Sequence, residues 1–167
     1  SVQCDLNGQV IGSTNDSLEL VKFYNATGGP NWTTKWDLSK PMSTWWGVKL
    51  NDSGCILELS QINNNLSGTL IDLNLSDLEL LDLPENNLSG NVPNFKNSIH
   101  LKVLNLFKND LSGAIPGLDL LTELVVLKLS SNIFTGPIPM LSNQKKLKEL
   151  WLENNNLIGQ LPDNSIL

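Results

Sequence analysis

The stretch LELLDLPENNLSGNVP, residues 78–93, decides the fold because the chain repeats its pattern three more times. The later copies are LKVLNLFKNDLSGAIP at 101–116, LVVLKLSSNIFTGPIP at 124–139 and LKELWLENNNLIGQLP at 147–162. A degenerate first copy begins at Ile56 and has Gln61 where the others carry leucine. Successive copies place a glycine 22 or 23 residues apart, at Gly68, Gly90, Gly113, Gly136 and Gly159. A period of this length predicts a solenoid of about five stacked repeats.

Each copy contains leucines separated by one variable residue, as in Leu81-Asp82-Leu83. Alternation is the period of a β-strand, so both leucines face the same way, towards the core. One repeat cannot bury that face alone, and neighbouring repeats must therefore stack. An asparagine follows each strand, at Asn64, Asn86, Asn109, Asn132 and Asn155. An unpaired amide is costly to bury, so we expect this column to bond the backbone of adjacent repeats.

Composition excludes several classes of function. The formal net charge is −6, and all eleven basic residues are lysines. A chain without arginine and without a basic stripe is not expected to bind nucleic acid. No run approaches the 18 apolar residues that a transmembrane helix needs. The length of 167 residues favours one structural unit.

Residues 1–54 do not repeat, and we expect them to cap the solenoid that residues 55–167 form, as one continuous unit. Asp16 is predicted to begin a helix with Leu18, Val21 and Tyr24 on its inner face. A hairpin is predicted to lead from residues 48–50 into the first repeat. Large aromatic side chains are expected to fill the core of the cap, namely Trp32, Trp45 and most of Trp36 and Trp46.

The repeats resemble plant-type leucine-rich repeats, which end in L-x-G-x-[IL]-P. The segment YNATGGPNW at 24–32, followed by WWGV at 45–48, is similar to the N-terminal cap of secreted leucine-rich-repeat proteins from Bacteroidetes-type bacteria. Plant receptors flank W-x-G-V with two cysteines, but this chain has Ser43 and Leu50 in those places. The resemblance implies a right-handed α/β-type solenoid with a parallel concave sheet and a helix-plus-hairpin cap. It also implies a bacterial protein that is secreted or held at the cell surface.

The two cysteines, Cys4 and Cys55, leave three alternatives open. In an oxidising extracellular compartment they would form a disulfide that closes a loop of about fifty residues. They would otherwise remain free thiols, or Cys4 would be the acylated cysteine of a lipoprotein. We favour the disulfide.

No catalytic or metal-binding pattern stands out, so we expect a non-catalytic protein without cofactor or metal. His100 is the only histidine, and no serine and acid are spaced to complete a triad with it. The scattered carboxylates would lie on an open sheet rather than in a cleft.

The candidate binding residues are those that flank the inward leucines, because strand alternation points them outward on the concave sheet. Exposed aromatic side chains on such a face are typical of interaction sites. The predicted site is centred on Phe107 and Trp151. Around them we place Asp82, Glu85, Val103, Lys108, Lys128 and Glu153.

The favoured function is therefore an extracellular module that presents this sheet to a protein or peptide. The alternatives are carbohydrate binding in adhesion, or a structural spacer within a larger surface protein. The C-terminal edge of the last repeat is expected to be covered by further repeats, by the tail of the chain, or by a second copy in a homodimer.

Overall fold

A computed structural model describes residues 3–4, 10–11 and 16–161, with side chains for 16–161. Strands β1 (Gln3–Cys4) and β2 (Val10–Ile11) form an antiparallel pair before helix α1 (Asp16–Ala26). Two short 3₁₀ turns follow, at Gly29–Asn31 and Met42–Thr44. The remaining elements are short strands: β3 (Val48–Leu50), β4 (Ile56–Ser60), β5 (Ser67–Thr69), β6 (Leu80–Asp82), β7 (Asn87–Gly90), β8 (Val103–Asn105), β9 (Asp110–Ala114), β10 (Val126–Lys128), β11 (Ile133–Pro137), β12 (Glu149–Trp151) and β13 (Asn156–Ile158).

The repeats stack as a solenoid, as predicted, but they form a second sheet beside the single concave sheet that was expected. The first sheet has the order β12-β10-β8-β6-β4-β3 and is parallel except for the β3–β4 hairpin. The second sheet has the order β13-β11-β9-β7-β5 and is parallel throughout. Equivalent leucines pair from repeat to repeat, as Leu81, Leu104 and Leu127 do. The register predicted from the glycine spacing is therefore confirmed.

The core lies between the two sheets and consists of the repeated leucines. Leu81, Leu104 and Leu127 from the first sheet and Leu88 and Leu111 from the second are at most 1% exposed. The last repeat closes this core less completely, because nothing described stacks beyond it. Its leucines Leu150, Leu152 and Leu157 are only partly buried.

The asparagine column forms the predicted ladder. Asn109 is representative: its Oδ1 accepts the N–H of Leu88 at 3.0 Å, and its Nδ2 donates to the carbonyl oxygens of Leu83 and Leu106 at 3.0 and 3.2 Å. Asn86, Asn132 and Asn155 also bridge consecutive repeats. Each amide thus satisfies backbone groups that a short strand leaves unpaired.

Gln61 continues the polar network at the position where the other repeats carry leucine. It is fully buried, and its Nε2 donates to the carbonyl of Trp46 at 2.6 Å. Its Oε1 accepts the Nδ2 of Asn64 at 2.8 Å. The departure from the repeat pattern therefore joins the first repeat to the cap.

The aromatic core of the cap forms from Trp32, Trp36 and Trp45, which are all buried. Trp36 stacks on Trp45 with ring centroids 5.0 Å apart and meets Trp32 edge-on at 4.9 Å. The expectation for Trp46 is wrong, since this side chain is 47% exposed. Its backbone carbonyl, rather than its ring, holds the cap together by accepting the Nε1–H of Trp36 and the amide of Gln61.

Helix α1 begins at the predicted residue, and of the predicted face Tyr24 is buried, Val21 is partly buried and Leu18 is exposed. Leu18 is exposed, while Asp16, Leu20, Phe23 and Tyr24 are buried. The carboxylate of Asp16 accepts the N–H of Ile56 at 2.9 Å. This contact fixes the helix against the start of the first repeat and turns Leu18 towards solvent.

Candidate functional site

The candidate site lies on the outward side of the first sheet and on the turns that follow its strands, which we call the first-sheet face. Side chains stand here in columns, because the strands pair in register. The column that ends the strands runs Ser60, Asp82, Asn105, Lys128 and Trp151. The predicted residues Glu85, Phe107, Lys108 and Glu153 lie in the turns just beyond these strands.

Phe107 and Trp151 meet although they belong to the third and fifth repeats. Their rings are 6.2 Å apart between centroids and are nearly perpendicular, at 86°. Neighbouring strands of a sheet are about 4.8 Å apart, so each ring leans over the fourth repeat to reach the other. Phe107 is half-buried and Trp151 remains 38% exposed. The two rings thus form one accessible aromatic surface.

Ser130 makes this contact possible, and the sequence analysis missed it. It occupies the same repeat position as Phe107, one repeat later, and is fully buried. Its hydroxyl has no hydrogen-bond partner among the described residues. A small side chain here leaves room for rings from both sides. Phe107, Ser130 and Glu153 occupy equivalent positions in the third, fourth and fifth repeats. The small size of the residue in the fourth repeat was the only indication of this contact in the sequence.

Lys128 lies against the aromatic pair. Its ammonium nitrogen is 4.1 Å from the centroid of the Trp151 ring, which is a cation–π contact. The same nitrogen is 3.8 Å from a carboxylate oxygen of Glu149. The Lys128 side chain is only 25% exposed. The cation therefore covers part of the face that Trp151 offers to a ligand.

Asp82 lies in the same column three strands from Trp151, and its carboxylate is bound by neutral donors. Asn105 donates its Nδ2 to the carboxylate at 2.8 Å, and the Ser60 hydroxyl lies at 3.5 Å. Partial burial raises the pKa of the Asp82 carboxyl above its usual range, and these two hydrogen bonds only partly oppose the rise. The ionised form of Asp82 is therefore destabilised by partial desolvation, although the residue lies on the open side of the sheet.

Glu85 and Lys108 are paired on the turns, with the lysine nitrogen 3.5 Å from the carboxylate. Both have left-handed backbones, with φ of 57° and 56°. Asn63, Ser131 and Asn154 adopt the same conformation at the equivalent positions of other repeats. The left-handed turn is therefore a property of every repeat rather than of the site. It sets the direction of the side chain at this position in each repeat.

Val103 lies on strand β8 within the first sheet. It is half-buried, like Leu80 and Val126 on either side in its column. Part of its surface is therefore accessible, and its role in binding stays a prediction.

The second sheet presents a different surface, which we call the second-sheet face. Its outward side chains are mostly exposed and uncharged, with Asp110 as the one charged member. They are Asn65, Ser67, Thr69, Asn87, Ser89, Asn91, Asp110, Ser112, Ala114, Ile133, Thr135, Pro137, Asn156, Ile158 and Gln160.

The described residues offer no arrangement for metal chemistry. None of their histidine, cysteine, aspartate and glutamate side chains form a group of three or more that could hold a metal ion. His100 is exposed beside Asn51, Asp77 and Glu79 at a small surface cavity of about 180 Å³. Within the described part of the chain, no helix is both long and apolar enough to cross a membrane.

Cys55 is buried next to β4, and its N–H donates to Asn51 Oδ1 at 3.0 Å. The side chain of Cys4 lies outside the described residues. The disulfide between Cys4 and Cys55 therefore stays a prediction.

Comparison with known proteins agrees with this geometry. A family model for the Leucine Rich Repeat matches residues 146–165. The ectodomain of BIR2 from Arabidopsis thaliana shares 27% identity over 90% of this chain and 85% of its own, with a TM-score of 0.83. The fold is a leucine-rich-repeat solenoid. The BIR3–SERK2 complex, also from Arabidopsis thaliana, contains a chain 29% identical over 89% of this chain and 86% of its own, with a TM-score of 0.78.

A plant ice-binding protein shares the leucine-rich-repeat fold as well. It is 29% identical over 93% of this chain and 50% of its own length, with a TM-score of 0.79. A search of curated proteins finds no match. These structures come from plants, and the bacterial origin expected from the cap stays a prediction.

Proposed function

We propose that this protein is a non-catalytic binding module that holds a protein or peptide partner on the first-sheet face, outside the cell. The observation that supports it best is the contact between Phe107 and Trp151, which joins two repeats into one accessible aromatic surface. Burying Trp151 in the core would stabilise the fold more than leaving it 38% exposed does. A partner that covers the ring accounts for its position.

The surroundings of this aromatic pair have the composition of an interaction site. Half-buried apolar side chains lie on one side, and charged groups such as Lys108 and Glu153 form the rim. Aromatic anchors inside a polar rim carry most of the binding free energy in protein interfaces. The solved structures that resemble this chain include a complex between two proteins, BIR3 and SERK2. An extracellular location is proposed from the resemblance to the BIR2 ectodomain.

The test begins with selection of binders from a displayed library of random twelve-residue peptides. We expect Trp151→Ala and Phe107→Ala each to weaken binding of the selected peptides by about thirtyfold, the effect of losing a 2 kcal/mol anchor. Trp46→Ala is the matched control, because it removes another exposed tryptophan that lies in the cap. Unchanged thermal melting of all three variants separates binding from folding.

Equal binding by wild type and both site variants would contradict the proposal. A glycan panel run beside the peptides tests the carbohydrate alternative. Glycan binding that depends on Trp151 while no peptide is selected would replace the protein partner with a sugar.

A second candidate function is ice binding through the second-sheet face. The observation that favours it is the regular, almost uncharged array of Asn, Ser and Thr side chains on strands about 4.8 Å apart. Uncharged polar groups can be placed against a solid water surface without the desolvation cost that a charged group incurs. The resemblance to the plant ice-binding protein supports this candidate.

Ice recrystallisation measured by microscopy tests this second candidate. We expect wild type to slow crystal growth and Ser89→Lys, which puts a charge in the middle of the array, to abolish the effect. The matched control is Ser39→Lys, at an exposed position in the cap. Inhibition that survives Ser89→Lys, or no inhibition by wild type, would remove this candidate.

A further inference from the structure

The ring of Trp151 is already in contact with a cation in the free protein. Lys128 places its ammonium nitrogen 4.1 Å from the ring centroid and loses most of its own exposure in doing so. A single cation–π contact at the protein surface is weak enough for a competing cation to displace it. The face of Trp151 is therefore suited to a cationic group.

Charge around the aromatic pair also favours a basic ligand. The residues near the aromatic pair carry four carboxylates and two ammonium groups. The carboxylates belong to Asp82, Glu85, Glu149 and Glu153, and the ammonium groups belong to Lys108 and Lys128. Lys108 pairs with Glu85, and Lys128 pairs with Glu149. Lys128 also acts on Asp82 from beyond ion-pair distance, and Glu153 forms no ion pair with a described residue. This part of the face carries two more negative than positive charges, so an acidic partner would meet repulsion.

We infer that the first-sheet face binds a basic segment of its partner, and that Lys128 occupies the place of the partner's cation until the partner arrives. This inference rests on the proposed function and names the chemical class of its ligand. A guanidinium group suits the exchange, because it stacks on an aromatic ring and donates to carboxylates at the same time. Glu149 and Glu153, on either side of Trp151, are the nearest acceptors in sequence.

The columns also give the spacing of the basic residues. Asp82 and Trp151 are three strands apart in one column, which is about 14 Å at the usual strand separation. An extended peptide advances about 3.4 Å per residue, so two cations four positions apart span the two ends. One cation would contact Trp151, and the other would pair with Asp82.

Calorimetric titration with three short capped peptides tests the inference. The probe peptide is Arg-Gly-Ser-Gly-Arg, which has the predicted spacing, and its counterparts are Arg-Arg-Gly-Ser-Gly and Glu-Gly-Ser-Gly-Glu. We expect the probe to bind most tightly, the adjacent-arginine peptide more weakly, and the glutamate peptide not at all. Raising the salt concentration should weaken the probe further.

Two variants isolate the role of Lys128. Lys128→Met frees the ring, and Lys148→Met removes the same charge from an exposed residue near β12 that forms no ion pair with a described residue. We expect Lys128→Met to tighten the probe by about twofold to fivefold relative to Lys148→Met, the equivalent of the displaced contact. Equal affinity in the two variants, weaker binding by Lys128→Met, or equal binding of the glutamate peptide would overturn the inference.

The library selection separates failure of this inference from failure of the proposed function. Selected peptides that depend on Trp151 but lack basic residues would overturn only the basic ligand and leave the binding face in place. Peptides that bind independently of both Trp151 and Phe107 would overturn the binding face itself.

Discussion

Replacing Asn109 with alanine should test what holds the solenoid together. Asn109 is only 7% exposed and forms three close hydrogen bonds with the backbone of two repeats. Its Oδ1 accepts from Leu88, and its Nδ2 donates to Leu83 and Leu106. Alanine removes all three bonds and adds no new steric demand.

The magnitude follows from what each backbone group retains. The carbonyl of Leu83 keeps the amide of Asn86 at 3.1 Å, and that of Leu106 keeps the amide of Asn132 at 2.9 Å. These two losses together should cost about 1 kcal/mol. The N–H of Leu88, a fully buried residue, loses its acceptor, and an unsatisfied buried donor costs about 2 kcal/mol. We expect Asn109→Ala to lower the free energy of unfolding by about 3 kcal/mol.

Urea unfolding followed by far-ultraviolet circular dichroism measures this change. Asn87→Ala is the matched control, because Asn87 is exposed and its amide makes only one long contact, 3.4 Å from Asn65 Oδ1. The control should stay within about 0.5 kcal/mol of wild type. A loss below 1 kcal/mol for Asn109→Ala, or one no larger than that of the control, would refute the ladder as a main source of stability.

Three further predictions concern other parts of the chain. Thiol titration of unfolded, unreduced protein should find none free if Cys4 and Cys55 are paired as predicted; two thiols per chain would contradict the disulfide. Light scattering should give a dimer that Leu157→Lys converts to a monomer if a second copy covers the outer edges of β12 and β13, where no described strand pairs; a wild-type monomer would contradict the edge interface. Asp82→Asn should stabilise the protein at neutral pH, and urea titrations should show the gain vanishing as pH falls towards 4. The sign follows because burial raises the folded-state pKa above the unfolded-state one, so the penalty of the ionised carboxylate is complete above the folded-state pKa and is lost as the pH falls to the unfolded-state pKa. A gain that persists at acid pH would contradict this reasoning.

The repeat architecture could be predicted because the same pattern of buried leucines and a bonded asparagine occurs five times in the chain. Each leucine pair must be buried and each asparagine must be bonded, so one alignment on Gly90 and Gly113 fixes the register of every strand. Side-chain columns follow from that register, and the predicted column with Lys128 and Trp151 is confirmed.

Features that occur once in the chain were harder to predict. The alternation rule places Phe107 and Trp151 on the same face but says nothing of a contact across two repeats, which depends on the small size of Ser130. Trp46 was assigned to the core from its residue type, whereas the cap uses its carbonyl. Helix α1 has apolar residues on more than one side. The side that is buried depends on the hydrogen bond between Asp16 and Ile56, which are 40 residues apart in sequence.

The identity of a ligand cannot be predicted from the repeat pattern. Positions that bind a partner are the variable ones, and they are free of the packing requirement that made the rest predictable. The chemistry of these positions becomes clear only from the folded structure, which places Asp82, Lys128 and Trp151 in one column.

The central claim, that a partner binds over the Trp151 ring, is tested most directly by the indole N–H signals of the five tryptophans in a ¹⁵N-labelled sample. Trp151→Phe assigns its signal by loss. Adding a peptide from the library selection should shift the Trp151 signal and leave Trp32, Trp36 and Trp45 in place, because those rings are buried in the cap. A peptide that binds with Trp151 unmoved while Trp46 shifts would place the binding surface on the cap and contradict the account.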